Sequence, residues 1–426
     1  MRFWLLPTLL GLLTACAAVP PESKPIDVRQ YGAKGDGRTV DTAALQSAFN
    51  RCRKTGGGVV RLPAGTYLSQ PLTMYSQTTL LLEEGSVLKA TDEPRDYLPP
   101  DVSWDQVLAG KAKGPFSSFL TAKNGTNIGI AGKGTIDGSG ARWWQPAEEA
   151  RRKVPGYTLP RPNLVRIAGC KGVKVTGVTL KNSPKFHLVP DDCDDVLIDG
   201  VTILSPPGAA NTDAIDPSVS RRVTITRCLM DVGDDNIAIK SGKRMPGREF
   251  ACEDITVTDC VFRHGHGMSI GSETVGGVRN VTVRRCRFEG TENGLRIKSP
   301  RGRGGRVENI TYEDNTVKDV IGAVTITCYY PNVPERDAAQ SVTPETPAFK
   351  GIRIVGLRGS SATSAGLIVG LPESLVQDVV LQDVQLTAAK TGLLLRNAHG
   401  VTLKDVQVTP RTGPPITVRA AEVSGL

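Results

Sequence analysis

Residues 173–178 read VKVTGV, 196–201 VLIDGV, 223–228 VTITRC, 255–260 ITVTDC, 281–286 VTVRRC and 310–315 ITYEDN. Further copies begin at Ile352, Val379 and Val401, and residues 128–132 (IGIAG) form an earlier one. Most copies start roughly 22–32 residues apart, the spacing of a solenoid. Apolar residues alternate within each copy, so each is a strand. Stacked in parallel, such strands bury every inward aliphatic against the same position of the next coil. A hairpin-built sandwich would need frequent Asn-Gly or Asp-Gly turns, and these do not recur at regular intervals. The expected fold is an all-β, single-stranded, right-handed parallel β-helix. Cys228, Cys260 and Cys286 share the position held by Val178 and Val201. They read as buried small side chains rather than metal ligands or disulfides.

A solenoid needs capped ends. Residues 41–53 place Ala44, Leu45, Ala48, Phe49 and Cys52 on one helical face, with Asp41 or Thr42 suited to start the helix. Gly56, Gly57 and Gly58 stop it. This helix is expected to plug the N-terminal opening. The non-repetitive stretches 91–123, 138–162 and 331–349 are expected as loops that wall a groove on one face.

Composition agrees. Among 426 residues, 39% are hydrophobic, aromatics make up only 5%, and glycine contributes 46, which suits many turns around small aliphatics. The formal charge of +9 favours a polyanionic partner: nucleic acid, an anionic membrane or an acidic polysaccharide. No zinc-finger spacing or aromatic–basic stacking run is present, so nucleic acid is not expected.

Arg2 precedes an apolar run from Phe3 to Leu13, too short to span a bilayer and suited to a signal peptide. Leu13-Thr14-Ala15-Cys16 resembles a bacterial lipobox, which makes Cys16 the lipidated first mature residue; ordinary cleavage at the small-residue site is the alternative. The expected layout is a signal peptide over 1–16, a tether over 17–24 and the β-helix over 25–426. Export is expected either way, with a membrane anchor at Cys16 if lipidated.

Four polar clusters fall in successive coils: Asn211-Thr212-Asp213, Gly233-Asp234-Asp235, Gly265-His266-Gly267 and Arg296-Ile297-Lys298. Aligning Ile215 with Ile237, Met268 and Leu295 brings Asp213 beside Asp235, with His266 above and Asp234 adjacent. Neighbouring parallel strands lie about 4.8 Å apart. Two charges about 5 Å apart at an effective dielectric near 20 repel by roughly 3 kcal/mol, about two pKa units. One carboxyl of the patch should therefore stay protonated near neutral pH. A cleft holding one protonated and one ionised carboxyl is what glycosidic hydrolysis requires.

In order and context (NTDAIDP, GDDNIAIK, GHGMSIGS) these clusters resemble the signature motifs of the polygalacturonase family, glycoside hydrolase family 28. The resemblance runs from Val28 onward. It implies Asp234 as general acid and Asp213 with Asp235 as the carboxylates that activate water, with inversion at the anomeric carbon. It implies His266 as a partner that tunes Asp234. Asn211, Arg296, Lys298 and Tyr329 become substrate-binding residues, with Tyr330 the substitute for Tyr329. No cofactor or metal is implied, the substrate is an acidic polysaccharide, and a monomer is expected. The family often carries cysteine directly after the paired aspartates; here Asn236 stands there, so that disulfide is absent.

Single residues have plainer readings. A lone Asp213 would more often satisfy a turn backbone, and Asp216 reads as structural. His264 reads as an exposed neighbour of His266, and His187 and His399 carry no signal. Arg301, Arg303 and Arg306 read as a solvated turn. Trp143 and Trp144 could line the groove or pin a loop. Two rivals share the fold: a polysaccharide lyase, which needs a calcium site and a basic proton abstractor, and a non-catalytic pectin-binding solenoid.

Overall fold

The computed structural model describes residues 24–112, 116–153 and 158–426; Cys16 and the expected signal segment lie outside them. The chain is a right-handed parallel β-helix of three strand stacks. In one coil it runs through Leu188–Asp191 of the first stack, Asp194–Asp199 of the second and Thr202–Leu204 of the third. It then re-enters the first stack at Ile215, which bridges Leu188 on one side and Ile237 on the other.

The repeat aligned from sequence is the register of the second stack. Ile128, Val173, Val196, Val223, Ile255, Val281, Ile310, Ile352, Val379 and Val401 pair in one unbroken column. All are essentially withdrawn from solvent. In the third stack Leu180, Ile203, Met230, Phe262, Phe288 and Val317 do the same, and the Phe262 and Phe288 rings lie parallel with centroids 4.5 Å apart. Removing one such ring costs about 3–5 kcal/mol. The cysteines of the repeat are free and buried; each thiol points at a backbone carbonyl, such as Cys228 Sγ at Thr226 O, 3.3 Å.

The chain turns from the second stack to the third through one left-handed residue per coil. That position holds Gly177, Gly200, Arg227, Asp259, Arg285 and Asp314, with φ between 51° and 75°. Gly and Asp tolerate this region. Arg285 does not, and it is tied to Asp259 of the preceding coil by a two-pronged ion pair of 2.8 Å arms.

The capping helix, α1, spans Thr42–Lys54 and buries Leu45, Ala48, Phe49 and Cys52 against the first coils. Asp41 precedes it but does not cap it. Its carboxylate instead accepts from Lys34 N (2.7 Å) and Gly35 N (2.9 Å). Two of the expected loops contain helices that periodicity did not show: α2 (Trp104–Leu108), opened by a Ser103–Gln106 capping box, and α3 (Ala141–Lys153). Trp143 of α3 is fully buried and meets Tyr97 and Trp104 edge-on, so it pins these excursions together. Trp144 donates to Ser183 O (3.0 Å) and lines a cavity of about 620 Å³ with Lys89, Arg142 and Asn182. The 331–349 excursion folds back on the coils: Val333 packs against the core cluster, and Glu335 O accepts from Arg396 Nη1 (3.1 Å).

Candidate active site

Inward residues of the first stack form the column Ile215, Ile237, Met268, Leu295, Val324, in the register expected from sequence. With that column fixed by the core, alternate residues must face outward. Ser269 and Arg296 are such a pair. Asp213 and Asp235 enter the patch just before their strands, where Ala214 N donates to Asp235 O (3.0 Å) and His266 N to Asp234 O (2.9 Å). Successive coils therefore bring Asp213, Asp234, Asp235, His266, Arg296 and Lys298 together on one outer face.

Each carboxyl has its own partners. Asp234 accepts from its neighbour Asp235 N (2.8 Å) and from Asn211 Nδ2 (3.3 Å), and lies 3.0 Å from His266 Nδ1. His266 is held from its other side by Glu292, 3.4 Å from Nε2. Asp235 accepts from Ser269 Oγ (2.7 Å) and Lys298 Nζ (2.9 Å), with Arg296 Nη1 at 3.6 Å. Asp213 accepts from Lys240 Nζ at 3.2 Å through Oδ2, while its buried Oδ1 has no protein partner. Asp234, Asp235 and His266 offer ligand atoms within 4.8 Å of one another, but Lys298 and His266 already supply that place with positive charge.

The carboxyl expected to be held up, Asp234, is not the one that is raised. Burial and the charge of Asp234 push Asp213 up to about 7, and burial raises Asp216 well above its ordinary range. Burial also works to raise Asp234, but the hydrogen bond and charge of His266 outweigh it, and this carboxyl ends below its ordinary range. Asp235 is likewise lowered, burial being overcome by Lys298. His266 is raised; burial opposes its charge, and Asp234 more than compensates. Both shifts favour the charged pair of Asp234 and His266.

The family model of glycosyl hydrolases family 28 matches residues 52–409. An endo-polygalacturonase of Pectobacterium parmentieri is 36% identical over 376 residues, covering 84% of this chain and 87% of the relative. The chain belongs to glycosyl hydrolases family 28. Among solved structures, the exopolygalacturonase of Thermotoga maritima superposes with a TM-score of 0.73 at 27% identity, covering 91% of both chains. The polygalacturonase of Erwinia carotovora ssp. carotovora gives 0.71 at 30% identity over 94% of this chain and 99% of that one. The Streptococcus pneumoniae adhesin PfbA, at 14% identity and a TM-score of 0.52, shares the fold alone.

Within this family 28 glycosidase the remaining expected residues separate. Arg296 is 13% exposed in its side chain, and its Nε and Nη1 have no hydrogen-bond partner in the protein. Lys298, expected beside it as a second substrate cation, is buried and engaged by Asp235. Tyr329 is turned away from the carboxyls: its hydroxyl donates to Asp337 (2.8 Å), and Arg301 and Arg396 flank its ring. Tyr330 instead presents its ring to Arg296 (5.9 Å) and Lys298 (5.2 Å), so it is the tyrosine at the site. Arg301 is no solvated turn residue either. It forms a fork with Glu373 (2.6 and 2.8 Å) and a 2.7 Å pair with Asp337.

Four further residues that the sequence did not place in the site support it. Arg161 is buried among acceptors, donating to Pro184 O (2.9 Å), Ala210 O (2.7 Å) and Asn211 Oδ1 (2.7 Å). It thereby orients the Asn211 amide so that Nδ2 faces Asp234. Lys240 lies between Asp213 and Asp216, 3.7 Å from the latter. Asp216, read as structural, is a buried acid of this cluster. His187 is buried and its Nδ1 lies 3.0 Å from Asp213 O; burial pulls its pKa down to about 4, so it is a neutral backbone support. The one available signal was position: Lys240 closes the GDDNIAIK stretch on its outward side.

Proposed function

We propose that this protein hydrolyses α-1,4-galacturonosidic bonds in pectic polysaccharide or oligogalacturonides, inverting the anomeric centre. The observation that carries this reading is the outer patch of three carboxyls, Asp213, Asp234 and Asp235, bordered by His266 and Arg296. Asp234 protonates the leaving oxygen. His266, 3.0 Å away, passes it that proton and is recharged after product leaves. Asp213, through its free Oδ1, and Asp235 hold the attacking water and take its proton. The Arg296 fork, with unpartnered donors, suits a uronate carboxylate in a bidentate pair. The Tyr330 ring beside it offers a flat face to a sugar.

Names of the relatives agree, endo-polygalacturonase in one case and exopolygalacturonase in another. A time course on polygalacturonate tests the reading. Reducing ends should accumulate, with the new anomeric centre inverted by proton NMR and no unsaturated chromophore. A chromophore would mean elimination, and binding without cleavage would mean a non-catalytic solenoid. Product sizes in the same digest report whether the chain is cut internally or from an end.

The apolar run before Cys16 supports export, with lipidation of Cys16 as the anchor. Replacing Cys16 with Ser should move the protein from the membrane to the soluble fraction; unchanged partition would contradict the anchor.

A further inference from the structure

Lys240 is the one cation that touches Asp213 among the described residues. Its ammonium lies 3.2 Å from Asp213 Oδ2 and 3.7 Å from Asp216 Oδ2. The first is a hydrogen bond and the second is outside that range, so Lys240 commits to Asp213. Its position is constrained: Lys240 bridges Ser218 in the strand register, and its Nζ lies 5.0 Å from the Phe186 ring centroid. We infer that Lys240 is a positioning residue for Asp213, fixing one carboxylate oxygen and leaving the other without a protein partner. This rests on reading Asp213 as a carboxylate that takes the water proton.

The surroundings say why such a residue is needed. Asp213 is faced by the carboxyls of Asp234, Asp235 and Asp216, all of which resist its ionisation. Lys185 and Arg161 add positive charge from further away, without hydrogen-bonding to it. Lys240 itself is faced by Asp216, Asp213, Asp235 and Glu273, and by the cation of Lys185. Burial disfavours its charge, but the carboxyls prevail and it stays an ammonium. Burial pushes Asp216 well above its ordinary carboxylate range, and its oxygen stands further from the ammonium, 3.7 Å against 3.2 Å for Asp213. With Lys240 neutralised, Asp213 would keep three acidic neighbours and no contacting cation, and would protonate at higher pH. An opposite charge at contact lowers a carboxyl by about 1–3 units, so that is the expected displacement.

The test uses Lys240→Gln, Lys240→Arg and the double variant Lys240→Gln/Asp216→Asn, the last in case the single neutral change destabilises the fold. Two readouts are taken: kcat/KM on polygalacturonate against pH, and the carboxyl carbon resonance missing from the Asp213→Asn spectrum, titrated without substrate. The neutral variants should move the acid limb and the resonance upward together by about 1–3 pH units, with activity recovering above the displaced limb. Lys240→Arg should restore both towards wild type. Equal loss at every pH with the resonance unmoved would overturn the inference, leaving Lys240 merely structural. If the resonance moves but even wild type leaves polygalacturonate uncut, the positioning role stands and the proposed substrate fails.

Discussion

At the scale of single residues, the site is a distribution of protons set by which cation each carboxyl reaches. His266 serves Asp234, Lys298 serves Asp235, and Lys240 serves Asp213, with Asp216 further off at 3.7 Å. Asp216 is the cost of this arrangement. Its folded pKa is raised above the unfolded value, so the native state binds the extra proton and loses stability as pH rises from about 4 through the folded pKa. Asp216→Asn removes that penalty. Its melting temperature should exceed wild type by a few degrees at pH 8 and match it near pH 3, as melting curves across pH would show. Equal melting curves at pH 8 would contradict the burial argument. Arg296 provides a second prediction. Arg296→Ala should raise KM for polygalacturonate about 10-fold or more while affecting a methyl-esterified chain far less, since a fork to carboxylate contributes roughly 1.5–3 kcal/mol. Equal loss on both chains would remove its role with the carboxylate.

At the scale of elements, what was legible in the sequence was whatever the core enforces locally. The period-two columns are local patterns, so the register from Ile128 to Val401 and the alignment of Ile215 with Leu295 could be read directly. Side chains brought in from excursions could not. Arg161 reaches Asn211 from 50 residues away across two coils, and no short-range pattern encodes that. Counting charges predicted crowding but not which carboxyl would keep its proton, because the answer depends on cations that pair only after folding. Tyr329 and Tyr330 exchanged places for a related reason. Asp337, in the 331–349 excursion, captures the Tyr329 hydroxyl, and that excursion is fastened by Arg301 to both Asp337 and Glu373. Arg301→Gln should loosen the fastening. Limited proteolysis should then cut within 331–347 at least several-fold faster than in wild type, with far-ultraviolet circular dichroism unchanged. Unaltered cleavage would mean that the Tyr329–Asp337 and Arg396–Glu335 hydrogen bonds hold the excursion without Arg301.

At the scale of the whole molecule, the β-helix works as a ruler. Each coil adds one strand about 4.8 Å further along the axis, so a catalytic set needs only one or two outward residues from each of four consecutive coils. The fold by itself does not decide chemistry, since an adhesin shares it. The carboxyls do, and Asp234 is the test. Asp234→Asn keeps the shape but cannot donate a proton to a glycosidic oxygen, a step that typically contributes about 10²–10⁴ in rate. Crowding alone would suggest that this change stabilises the fold. The hydrogen bonds from His266, Asp235 N and Asn211 argue the reverse, and a slightly lower melting temperature is expected. The exposed Lys390 serves as the control. The decisive measurement is reducing-end release from polygalacturonate by folded Asp234→Asn beside Lys390→Ala, each checked by its melting curve. The account predicts loss of about 100-fold or more for Asp234→Asn and none for Lys390→Ala; a folded Asp234→Asn protein with near wild-type activity would contradict it.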